Sequence, residues 1–66
     1  MKINYFEFEI TVPVDILPSN IRSRIIQHLI KYGEPVRWAL TKVEVDQKDI
    51  SLKILKVEAV LILPSS

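Results

Sequence analysis

Along the last thirty or so residues the apolar positions switch parity, and they do so in both halves of what reads as a hairpin. Val36, Trp38 and Leu40 share one parity, and Thr41, Val43 and Val45 take over on the other. In the following run Ile50, Leu52 and Ile54 share one parity and Leu55, Val57, Ala59, Leu61 and Leu63 the other. Side chains alternate with a period of two along a strand, so each switch moves the apolar set to the opposite face. With Asp46-Gln47-Lys48-Asp49 as the turn and Val45 opposite Ile50, both switches fall at one rung, between Thr41/Ile54 and Leu40/Leu55. This register predicts a ribbon that is apolar on one face near the turn and on the other near its open end. Helical periodicity occurs only once in the chain, and one helix covers one face. The second apolar face is therefore expected to meet another chain.

The rest of the chain is strand and then helix. Residues 3 to 12 alternate, with Phe6, Phe8, Ile10 and Val12 against Tyr5, Glu7, Glu9 and Thr11, as a half-buried strand requires. Pro13 and Pro18 bracket a connector, and either Asp15 or Ser19 suits the helix N-cap. From about 18 to 32 the period becomes helical. Ile21, Ile25, Leu29 and Tyr32 form a stripe that Ile26 and Ile30 widen, while Asn20, Ser23, Arg24, Gln27 and Lys31 fill the opposite arc. Gly33, the only glycine, is placed as a left-handed C-cap, and Pro35 prevents continuation. The hairpin follows at about 35 to 45 and 50 to 63, and Pro64-Ser65-Ser66 closes the sequence as a polar tail.

This order predicts an α+β domain of β-α-β-β type. A right-handed crossover makes the first two strands parallel, and the run from Val57 to Leu63, apolar on both parities, belongs in the centre of the sheet. The expected strand order is 1-3-2, a split β-α-β unit equal to half a ferredoxin-like fold, with one helix on one face. The competing order 1-2-3 would leave the most apolar strand on an edge. Residues 1–66 read as a single domain, near the size at which a chain needs reinforcement to fold alone. With no cysteine, oligomerisation is the expected reinforcement.

The residue inventory narrows the chemistry. A single histidine, no cysteine and one glycine leave no His pair for a metal, no thiol chemistry and no glycine-rich phosphate loop. No cofactor, metal or catalytic residue is expected, and the chain is read as not an enzyme. Glu7 and Glu9 fit the solvent side of an amphipathic strand. His28 fits a structural position at the margin of the helix stripe, beside Arg24, and Trp38 a core position under the helix. A formal net charge of +1 implies no nucleic-acid or membrane partner by itself. The sequence lacks a basic leader and any apolar run long enough to span a bilayer, so a cytoplasmic location is expected.

The function expected is that of a small interaction or assembly protein, a homodimer or a subunit of a larger complex. Its interface is placed on the sheet face away from the helix, at Val43, Val45, Ile50, Leu52 and Ile54, continued by Val60 and Ile62. Two alternatives stand beside it. One is a nucleic-acid-binding module that uses Arg22, Arg24 and Lys31 of the helix, a stretch with no acid. The other is a small-ligand binder whose pocket forms between subunits. In the predicted register Arg37 faces Glu58, and Lys42 faces Lys53 with Glu44 diagonally near.

Overall fold

The two-sided apolar run takes the centre of the sheet. The structure is a computed structural model that describes residues 2–64, so Met1, Ser65 and Ser66 of the polar tail lie outside the described residues. Its elements are β1 (Lys2–Pro13), α1 (Pro18–Leu29), β2 (Glu34–Val45) and β3 (Leu52–Leu63). The sheet order is β1-β3-β2, and both pairings with β3 are antiparallel. β1 and β2 are therefore parallel to each other, as the crossover through α1 requires.

The core lies between α1 and one face of the sheet. Ile25 and Leu29 of the helix pack on Ile10, Val12, Leu55, Val57, Ala59 and Leu61, all at most 7% exposed. Phe6, Phe8, Ile16, Ile21, Trp38 and Leu63 border this cluster, so Trp38 does lie on the helix side. Each fully buried aliphatic side chain contributes about 1.5–3 kcal/mol, which makes eight buried residues a small store against chain entropy.

The helix ends differ from expectation. Neither Asp15 nor Ser19 caps α1: the N-cap is Leu17, which offers no side-chain hydrogen bond, and Pro18 fills the first helical position. Proline there removes one of the donors that a cap would otherwise have to satisfy. At the other end α1 stops at Leu29 rather than near 32, and residues 30–32 form a turn. Tyr32 and Gly33 both donate their N–H to the Leu29 carbonyl, at 2.9 and 3.2 Å. Gly33 has no positive φ and so is not a left-handed cap. It is glycine because a Cβ would sit 2.7 Å from the Ile62 carbonyl oxygen, closer than a methyl group can approach.

The hairpin register also differs, and the difference decides which face each apolar residue occupies. Val45 pairs with Lys53 rather than Ile50, Val43 with Leu55, Leu40 with Val57 and Trp38 with Ala59. The register shifts between Leu40 and Lys42 and again between Pro35 and Arg37, so Thr41 and Val36 are extra residues in β2. A bulge reverses parity without changing face. Trp38, Leu40, Val43 and Val45 therefore all lie on the helix side, and the parity switch in β2 is no switch of face. The turn is longer than four residues because Asp46 and Asp49 organise it. Asp46 Oδ1 accepts from Lys48 N at 2.8 Å, and Asp49 Oδ1 accepts from Ser51 N at 3.0 Å. Ser51 also holds the Asp49 carboxyl below its usual range, first through its hydroxyl and then through its amide.

Candidate interaction surface

The residues expected to form one interface are divided by the bulges. Val43 and Val45 are on the helix face, and Ile50 stands in the turn at 79% exposure rather than in a strand. Leu52, Ile54, Val60 and Ile62 are on the outer face, all half-buried. The expected contiguous outer patch is absent, because those four are separated into pairs by a belt of charge.

The belt crosses all three strands. Glu9 pairs with Lys56, which pairs with Lys42, and Lys56 Nζ lies 3.7 Å from Glu9 and 3.5 Å from Glu44. Lys42 Nζ completes the chain at 2.9 Å from Glu44. Hydrogen bonding and charge from Lys42, with added charge from Lys56, hold the Glu44 carboxyl low, and Glu44 in turn raises Lys42. These side chains keep much of their contact with water, so their pairing adds little to the stability of the fold. Lys42 thus faces Lys56 and not Lys53, and Arg37 faces Val60 while Ala39 faces Glu58.

Beside the belt, Glu7 stands directly opposite Glu58. Tyr5 mitigates this like-charge pair. Its hydroxyl donates to Glu7 Oε1 at 3.3 Å, and hydrogen bonding toward Glu58, local desolvation and the two carboxylate charges hold its pKa up at about 12. Tyr5, Arg37, Ala39, Glu58 and Val60 border a shallow outer depression of about 260 Å³. Glu7 and Glu9 therefore belong to a solvated surface, on which Glu9 is paired with Lys56 and Glu7 is held by Tyr5.

The helix face is covered unevenly. Along β2, Leu40, Val43 and Val45 are 38%, 49% and 56% exposed on the same side as the core. Geometry explains this: twelve helical residues span about 18 Å, whereas the molecule extends 40 Å along its long axis. Near the other end of β2, Ile30 is exposed and lines a depression of about 530 Å³ with Gly33, Glu34, Pro35 and Ile62. Ile26, half-buried, lies one turn before Ile30. An apolar band thus follows β2 from the hairpin turn to the helix C-terminus.

The opposite flank of α1 is polar. Arg24, Gln27, His28 and Lys31 line a groove of about 420 Å³ against Glu9, Ile10 and Thr11 of β1. Arg22, grouped with Arg24 and Lys31 in the sequence, does not line it. His28 is half-buried there, edge-on to Phe8 with centroids 5.2 Å apart and tilted on Tyr32 at 5.4 Å. Phe8 also meets Tyr32 at 5.0 Å and Phe6 at 5.7 Å. Sequence reasoning missed this aromatic cluster, although His28 and Tyr32 at i and i+4 with Phe6 and Phe8 on one strand face carried the signal. Burial, and then the charge of Lys31, lower the His28 pKa. Among the described residues no group of three or more His, Asp or Glu side chains has the geometry to hold a metal ion.

Comparison with known proteins adds a family. The model for Domain of unknown function (DUF8621) matches residues 5–63. The chain belongs to the DUF8621 family. No curated protein and no solved structure matches it. The DUF8621 match begins in β1, ends with the last residue of β3 and includes α1, both bulges and the apolar band, so these features lie inside the family's own domain. No helix among the described residues is long and apolar enough to cross a membrane.

Proposed function

We propose that this chain is a non-enzymatic cytoplasmic assembly protein that works as a homodimer, with the helix-side apolar band along β2 as the interface. The observation that carries the reading is the joint exposure of Leu40, Val43 and Val45 on the core face, where the bulge at Thr41 aligns them with Trp38. A second supports it. The accessible surface is 4890 Å², about 600 Å² more than the roughly 4300 Å² expected for a compact 7.6 kDa monomer. That excess approaches the ~800 Å² that each partner contributes to a standard interface. A second copy is the occupant that fits, because the band lacks the charge pattern of the outer face and extends a core of only eight buried residues. Two bands packed about a two-fold axis enlarge both cores.

The outer face suits this role poorly, since burying it would strip water from the Glu9, Lys56, Glu44 and Lys42 network. The nucleic-acid reading is weakened by the separation of Arg22 from Arg24 and Lys31, which leaves two cations where phosphate binding draws on several. Light scattering on the intact chain tests the proposal. The expected mass is twice 7.6 kDa at micromolar concentration, and a single-chain mass throughout would overturn it.

A further inference from the structure

The two edges of the sheet are built differently. β2 carries two bulges and Pro35, devices that discourage a further strand from pairing. β1 pairs with β3 through twelve consecutive partners without a shift, and no proline interrupts it before Pro13. The bond from Val14 N to Ser51 O, 2.8 Å, continues this register and sets its phase. Even-numbered residues of β1 exchange hydrogen bonds with β3, so Ile3, Tyr5, Glu7, Glu9 and Thr11 direct their N–H and C=O groups away from the sheet. Among the described residues no other backbone hydrogen bond engages these groups. They form an open, regular half-ladder about 27 Å long.

The groove under α1 runs beside this edge. Arg24 and Lys31 line it, and no ion pair among the described residues engages either. Its one acid, Glu9, lies 3.7 Å from Lys56 of the outer face. On the helix side the edge is further bordered by the half-buried rings of Phe6 and Phe8.

From this arrangement we infer that β1 is the docking edge for an extended acidic peptide segment of a partner protein, which adds as a fourth strand and lays alternate carboxylates against Arg24 and Lys31. Side chains of an added strand alternate between the two faces. Those on the helix side enter the groove and meet cations, and those on the outer side lie beside Glu7 and Glu9 and must be neutral or basic. A second copy fits this edge badly, because central two-fold pairing of β1 with itself brings Glu7 and Glu9 against the same residues of the other copy. Nucleic acid offers no amide ladder to pair with it. The inference concerns the edge opposite the β2 band, so it stands or falls independently of dimerisation.

The test uses the intact ¹⁵N-labelled chain and an acetylated, amidated nine-residue peptide of alternating Thr and Glu. Binding should slow amide exchange at Ile3, Tyr5, Glu7, Glu9 and Thr11 and leave β2 unchanged. Arg24→Glu with Lys31→Glu, both at exposed positions, should weaken binding roughly tenfold while far-UV circular dichroism stays the same. The same peptide with Lys in place of Glu should not bind. The inference is overturned if the Glu peptide leaves the β1 amides unprotected or if the Lys peptide binds equally well. It is also overturned if an oligothymidine shifts Arg24 to Lys31 and the peptide does not, or if the β1 amides are already protected in the free chain and lose that protection on dilution.

Discussion

Val43 stands directly opposite Leu55, a residue with no exposed surface, and it is this pairing that puts Val43 on the helix face of the sheet. The bulge at Thr41 makes the pairing possible. Thr41 also donates its Oγ1 proton to the Lys56 carbonyl at 3.1 Å, which ties the extra residue to the central strand.

Deletion of Thr41 separates this architecture from a regular ribbon. Without the extra residue β2 becomes regular from Arg37 to Val45, while Leu40 stays opposite Val57 and Val43 opposite Leu55. The variant should fold and lose on the order of 1 kcal/mol with the Thr41 hydrogen bond. In a regular ribbon the deletion would turn Trp38 and Leu40 to solvent and collapse the fold. Thermal unfolding of the deletion variant decides between the two.

Gly33 yields a second prediction. Because its φ is not positive and its missing Cβ would meet the Ile62 carbonyl, Gly33→Ala should destabilise by about 1–3 kcal/mol through overpacking. Gly33→Asn should be no better, although asparagine tolerates a left-handed cap. Rescue by asparagine in a denaturant melt would restore the capping explanation.

His28 makes stability depend on pH within a definite window. It packs against Phe8 and Tyr32 in a groove shared with Arg24, Lys31 and Glu9, and burial with the Lys31 charge lowers its pKa from 6.5. Below pH 6.5 the unfolded chain takes up a proton here that the folded chain resists, so stability falls with pH until the folded imidazole itself titrates. Glu44 and Asp49, whose pKa values are lowered from 4.5 and 3.8, contribute stability above those values and lose it only in more acidic solution. A decline of the thermal midpoint between pH 6.5 and 5 should therefore vanish in His28→Phe. A decline of the same size in the variant would assign it to other groups.

Strand order was legible because Val57 to Leu63 is apolar on both parities and only a central strand buries both sides. The hairpin register was not. A bulge and a change of face produce the same parity switch, and nothing in Leu40-Thr41-Lys42 distinguishes them before β3 is laid alongside. The Asp46 and Asp49 side-chain bonds that lengthen the turn compounded the error by shifting Val45 from Ile50 to Lys53. Gly33 was recognisable as a constrained position, but its reason is a tertiary contact with Ile62 that local sequence does not encode. The expectation of a partner rested on a single helix and a small core, whereas the placing of Val43 and Val45 on the outer face rested on the hairpin register, and the Thr41 bulge puts both on the helix side instead.

Light scattering of Val43→Asp compared with Ile54→Asp separates dimerisation through the β2 band from dimerisation through the outer face. Both residues lie near the turn end, on opposite faces, and Val43 is 49% exposed in the single chain, so an aspartate there is compatible with folding. Val45→Asp, at 56% exposure, provides a second probe of the same band. If the β2 band is the interface, the wild type and Ile54→Asp scatter as two chains, while Val43→Asp and Val45→Asp scatter as a folded chain of 7.6 kDa. A dimer that survives Val43→Asp and Val45→Asp but is lost in Ile54→Asp would contradict it and place the interface on the outer face.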